Sequence, residues 1–155
     1  MSLTQVDGGL LSPTNGQFYG FKNRIFNGSG QIDQRNNGSA VTNGSGTTYF
    51  VDRWLVYDGS GGSHFSIGQN LNAATPPAGF STYIGIKTTS SVAAAAGNNF
   101  TFQQYIEGFN TVDLAWGSAN AKSITLSFWV QSSLTGQFGG SLRNNAANYF
   151  YPFIF

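Results

Sequence analysis

The groups that could do acid or base chemistry in this chain are few and dispersed. Its six carboxylates are Asp7, Asp33, Asp52, Asp58, Glu107 and Asp113, and no two have a local spacing that would set an acid and a base across a glycosidic bond. Pairs distant in sequence could still meet in the fold. His64 is the single histidine and there is no cysteine, which leaves neither a thiol nucleophile nor a histidine-cysteine zinc set. A Ser-His-Asp triad would have to use His64, which sits beside the Gly59–Gly62 turn and lacks a nucleophile elbow. A surface position is expected for it. Asp58-Gly59 and Asn98-Asn99 carry oxygens suited to calcium, but the same pairs are ordinary turn formers, and the turn is the preferred reading. The chain is therefore read as non-enzymatic, with no catalytic residue, metal or cofactor assigned.

Binding chemistry has better candidates. In the run Ser123–Gln131, Ile124, Leu126, Phe128 and Val130 alternate with polar residues, the period of two expected when one strand face is buried. Trp129 falls on the polar parity of this run, the clearest strand in the sequence. Tyr105 falls on the polar parity of Phe100–Glu107, which is expected to pair beside it. Exposed aromatics flanked by Gln and Ser stack on pyranose rings, so Tyr105 and Trp129 are candidate glycan or subunit contacts. The preferred alternative for Trp129 is packing under a loop or against the next subunit. In Asp52-Arg53-Trp54, strand geometry would put Asp52 and Trp54 on one face and Arg53 on the other, a structural arrangement rather than a ligand site.

The elements that must position these residues are β-strands. A length of 155 residues suits one domain, able to bury about 70% of the surface of its unfolded chain. Aromatics are 15% of the chain, with Phe at 14 copies, so a core of few but large side chains is expected. Charged residues are only 8%, and the surface must be Asn, Gln, Ser, Thr and Gly, which suits an assembly subunit or a secreted protein. The seven Lys and Arg are scattered singly, which argues against nucleic acid as a partner. Without cysteine, folding needs no oxidising compartment, and synthesis in the cytoplasm is favoured. No run approaches a membrane span, and the first residues lack the basic start and apolar run of a secretory signal. Sequons at Asn27, Asn37, Asn43 and Asn99 are expected by chance in such a composition, and no glycosylation is assigned.

In chain order, residues 1–21 carry Gly8-Gly9, Pro13 and Asn15-Gly16 and read as an extended arm. Its anchors Leu10, Leu11, Phe18, Tyr19 and Phe21 would either dock on a neighbouring subunit or lie along the same chain's core. Residues 22–155 read as a β-sandwich. Early strands surround Ile25 and Ile32 and fill Tyr49–Tyr57, followed by Ser63–Gln69 and Ser81–Thr89. Leu114–Trp116 lies in the loop between the two central strands, with room for one helical turn. The last segment, with Tyr149, Tyr151, Phe153 and Phe155, is apolar on both parities and is either buried on both faces or an inter-subunit edge. Many strands and no convincing helix indicate an all-β, antiparallel jelly roll or β-sandwich.

Lys22-Asn-Arg-Ile-Phe-Asn-Gly28, Ile32-Asp-Gln-Arg-Asn36, Val51-Asp-Arg-Trp54, Gln103-Gln-Tyr-Ile-Glu-Gly-Phe-Asn110 and Ile124-Thr-Leu-Ser-Phe-Trp-Val-Gln-Ser-Ser133, in that order, resemble a family of tailed-bacteriophage virion proteins. The resemblance runs over the whole chain, and the opening SLTQVDGGLLSPTNG is similar to the start of phage appendage proteins. It implies a carbohydrate-binding-like jelly roll on the particle exterior, most simply a tail-fibre or tail-associated protein in contact with the host surface. Relatives in that family continue past Phe155, so the jelly roll is expected to be incomplete at its C-terminus or completed by neighbours. The expected partners are other virion proteins, two further copies in a homotrimer, and a host-surface glycan. Synthesis in the host cytoplasm and residence on the virion follow. The alternatives are a head decoration protein that cements the capsid and, from another class, a soluble carbohydrate-binding module.

Overall fold

The computed structural model describes residues 22–93 and 95–155. The expected arm, with Leu10, Leu11, Phe18, Tyr19 and Phe21, lies outside the described residues. The chain divides into two compact units, the first ending at Ser123 and the second covering Ile124–Phe155.

The first unit is built from β1 (Val41–Thr42), β2 (Gly46–Tyr49), β3 (Trp54–Asp58), β4 (Phe65–Gln69), β5 (Ile84–Thr88) and β6 (Phe100–Gln104). They form two antiparallel three-stranded sheets, ordered β1-β4-β5 and β2-β3-β6. The all-β, antiparallel class expected from the strand periodicity holds. Both sheets are open.

Side chains from both sheets meet in one core of Phe50, Val51, Val56 and Ile67, all at 3% exposure or less, with Val41, Trp54, Phe65 and Ile84 packed against it. Full burial of each of the large side chains is worth about 1.5–3 kcal/mol. Phe102 of β6 stacks flat on Trp54 of β3 at 4.5 Å, and Phe100 meets Phe65 of the other sheet edge-on at 5.8 Å. The shared parity of Phe100 and Phe102 thus reflects packing.

The stretch 49–57, expected as one strand, is a hairpin. Tyr49 ends β2, the chain turns through Phe50–Arg53, and β3 returns with Tyr49 opposite Leu55. Trp54 donates its N–H to the Val51 carbonyl at 3.1 Å, and Phe50 donates to the Trp54 carbonyl at 3.3 Å. Arg53 takes a left-handed backbone with φ 75°, unusual for a side chain of its size. Two turn residues, Phe50 and Val51, are wholly buried, so hydrophobic burial rather than turn chemistry holds this reversal.

A polar clasp joins the sheets. Asn43, 1% exposed, donates its backbone N–H to the Phe65 carbonyl at 3.0 Å and accepts the Phe65 N–H on Oδ1 at 2.6 Å. Its Nδ2 donates to Oδ2 of the fully buried Asp58 at 2.9 Å. Asp58 Oδ1 also accepts from the Ser60 hydroxyl at 2.6 Å and the Ser60 N–H at 3.0 Å. His64 completes the group, and with 14% of its side-chain surface exposed it is not the surface residue expected. Burial pushes the Asp58 carboxyl up, but the hydrogen bonds from Ser60, His64 and Asn43 outweigh it and hold the group below the ordinary carboxylate range.

The second unit has one hairpin, β7 (Gly139–Arg143) with β8 (Phe150–Ile154), in which Gly139 faces Ile154 and Arg143 faces Phe150. Reciprocal 3.0 Å backbone bonds extend it through Phe138 and Phe155. Phe155 contacts the Phe128 ring edge-on at 4.8 Å and lies 5.9 Å from Phe138. No residue of 124–155 is buried.

One expectation fails here, and one alternative of another is removed. Residues 123–131, read as the best strand and as the neighbour of Phe100–Glu107, join no sheet among the described residues: β6 pairs with β3 on one side and ends its sheet on the other. Alternation says which side chains share a face, whereas a ladder also needs a partner strand. Ile124, Leu126, Phe128 and Val130 are 36–60% exposed. The final segment is a strand as expected, but it is not buried on both faces, since Tyr149, Tyr151 and Ile154 are each about 70% exposed.

Candidate ligand cleft

The turn Phe50–Arg53 is tied to a second turn that begins at Asp33. Asp33 Oδ1 accepts the Asn36 N–H at 3.0 Å and Oδ2 accepts the Gly38 N–H at 2.9 Å, a side-chain-stabilised turn. Asn36 Nδ2 donates to the Phe50 carbonyl at 2.9 Å, and Asp52 Oδ2 accepts the Gln34 N–H at 2.7 Å. These bonds fix Arg35 beside the hairpin tip. The pairing of Trp54 with Gln104 then brings Tyr105 and Glu107, which follow β6, next to Arg53.

The result is a cleft of about 300 Å³ lined by Arg35, Tyr49, Asp52, Arg53, Tyr105 and Glu107. Arg53 Nη2 bonds Glu107 Oε1 at 2.6 Å and donates to the Tyr105 carbonyl at 3.2 Å, while its guanidinium lies 5.0 Å from the centre of the Phe26 ring. Glu107 is held below the ordinary carboxylate range by its own backbone N–H and by Arg53. The Arg35 guanidinium lies over the Tyr49 ring at 5.4 Å. Tyr105, half exposed, receives a 3.2 Å hydrogen bond from Gln103 Nε2 on its hydroxyl. An aromatic ring, a guanidinium and carboxylate oxygens on one small concave surface can hold a polyhydroxylated ring by stacking and by hydrogen bonds to its edge.

Of the residues singled out from sequence, Tyr105 belongs to this cleft. Trp129 lies in the second unit and is 76% exposed, and the strand pairing expected to set it beside Tyr105 is absent. Tyr149, Tyr151, Phe153 and Phe155 lie together on or beside β8. Arg35, Tyr49, Asp52, Arg53 and Glu107 were missed as a group, and the one signal in the sequence was Asp52-Arg53-Trp54, whose strand reading separated side chains that a turn gathers.

Other polar candidates resolve structurally. Asp58 spends both oxygens on the clasp, and Asn98 closes a turn by donating its N–H to the Ala95 carbonyl at 3.0 Å. The sequon residues Asn43 and Asn27 commit their Nδ2 groups, Asn27 to the carbonyls of Ile32 and Asp52 at 2.8 and 2.9 Å. Among the described residues no group of three His, Asp or Glu could hold a metal ion, and no helix is long and apolar enough to cross a membrane. No family model, curated protein or solved structure matches the chain.

Proposed function

We propose that this chain is a non-enzymatic structural protein on the exterior of a bacteriophage particle, of tail-fibre or tail-associated type, and that it touches host-surface glycans through the cleft at the β2–β3 turn. The observation that carries the reading is the convergence of Tyr105 with Arg35, Asp52, Arg53 and Glu107. The ordered phage-like motifs support the same setting, since Val51-Asp-Arg-Trp54 and Gln103-Gln-Tyr-Ile-Glu107 are the segments that build the cleft.

Binding suits this cleft better than hydrolysis. A glycosidase needs one carboxyl kept protonated near neutral pH as the general acid. Glu107 is instead held as the anion by its own backbone N–H and by Arg53.

The second unit supports an assembly. A two-stranded hairpin is marginal alone in water, and this one leaves Trp129, Leu134, Tyr149, Tyr151 and Ile154 about 70% exposed or more. A homotrimer would cover them and complete a jelly roll between copies. Synthesis in the host cytoplasm and residence on the virion belong to the same proposal.

Cryo-electron microscopy of the particle carrying the protein tests this. Density at the tail, with the cleft facing outward, is expected. Density spread over the capsid lattice at its symmetry axes would contradict the tail reading in favour of a cement protein.

A further inference from the structure

We infer that the cleft selects saccharides that carry a carboxylate, with Arg35 as the residue that reads the charge; this rests on the glycan-contact reading above. The two arginines of the cleft differ in what they are bound to. Arg53 is spent on Glu107 at 2.6 Å and on the Tyr105 carbonyl. Arg35 has no carboxylate within ion-pair distance among the described residues, and its contact is the Tyr49 ring beneath it. A guanidinium laid on an aromatic face keeps its edge N–H groups free in one plane, the geometry that meets a carboxylate with two parallel hydrogen bonds.

The remaining lining gives the rest of such a ligand a place. Arg35 covers the Tyr49 face, so the half-exposed Tyr105 ring is the platform for the sugar. Asp52 accepts the Gln34 N–H on Oδ2, which leaves Oδ1 to accept a hydroxyl of the sugar. Of the two carboxylates of the cleft, Glu107 is neutralised by Arg53, and Asp52 is the one whose charge stands opposite that of Arg35.

The test is a titration of the full chain, followed by saturation-transfer NMR and calorimetry, with methyl β-glucuronide and with methyl β-glucoside, which differ only at C6, a carboxylate in the first and a hydroxymethyl in the second. A charge-assisted pair is expected to favour the glucuronide about tenfold in Kd. Arg35→Gln should erase that difference by bringing the glucuronide down to the affinity of the glucoside for the same variant, and Arg35→Lys should restore part of it without the bidentate geometry. Raised salt should narrow the preference. Tyr105→Ala should weaken both sugars together. Equal affinity for the two sugars would overturn the charge selection and leave a neutral-sugar cleft. Binding of neither would overturn the glycan reading itself.

Discussion

His64 Nδ1 lies 2.8 Å from Oδ2 of the fully buried Asp58, and Asn43 Nδ2 donates to that same oxygen. An ionised carboxylate only accepts, so Nδ1 carries the proton in this pair. The clasp thereby fixes the histidine tautomer and joins the β1-β4-β5 sheet to β3.

Asp58→Asn keeps the shape but replaces one acceptor oxygen by a donor. Four donor groups, from Asn43, His64, the Ser60 N–H and the Ser60 hydroxyl, then converge on one carbonyl and one amide. An unsatisfied buried group costs about 1–3 kcal/mol. The urea midpoint should drop accordingly, and an unchanged midpoint would show that the clasp contributes nothing.

Acid should destabilise the fold through carboxylates held ionised. Asp113 is depressed to about 2, chiefly by the hydrogen bond from Arg24, whose Nη1 and Nη2 bond its two oxygens at 2.9 and 2.6 Å. Asp58 is depressed as well. In the unfolded chain such groups titrate near an ordinary carboxylate value of about 3.9. Between that value and the folded one the unfolded state binds more protons, so stability is fully present above about 4 and is lost as pH falls towards about 2. Denaturation midpoints measured from pH 6 to pH 2 should show this fall, and Asp113→Asn should make it shallower.

Gly85 is required by packing. A Cβ there would lie 2.7 Å from Leu71 Cβ and 2.8 Å from the Leu71 carbonyl oxygen, in the 3-10 turn Leu71–Ala73 against β5. The backbone cannot yield as a flexible side chain would. Gly85→Ala should therefore destabilise the first unit by about 1–3 kcal/mol, read by thermal unfolding.

Much of the first unit is legible from residues alone, because β4, β5 and β6 fall inside runs whose apolar parity or β-branched content marks them as strands. The hairpin tip is not, since Phe50-Val-Asp-Arg53 lacks Gly, Pro and Asn, and its reversal depends on two buried side chains that local turn chemistry cannot announce. Ser123–Gln131 errs the other way: its alternation is real, but no strand among the described residues pairs with it. Asn43 reads as a sequon because burial is a tertiary property. The cleft depends on the β3–β6 register, which brings Glu107 beside Arg53, and on the turn after Asp33, which sets Arg35 at the hairpin tip, so only Tyr105 was a candidate beforehand.

The exposed aromatic hairpin should make the protein self-associate. Multi-angle light scattering of the full chain should give a trimer's mass, and Tyr151→Ser with Ile154→Ser should shift it towards monomer without loss of the first unit's near-ultraviolet signal. A monodisperse wild-type monomer would contradict the assembly.

The most direct measurement is a glycan array probed with the labelled full chain and with Tyr105→Ala. If the cleft is the host contact, the wild-type chain binds a defined set of saccharides and the variant loses that set while keeping the wild-type thermal midpoint. A folded wild-type chain that binds no saccharide, or a variant with an unchanged profile, would contradict it.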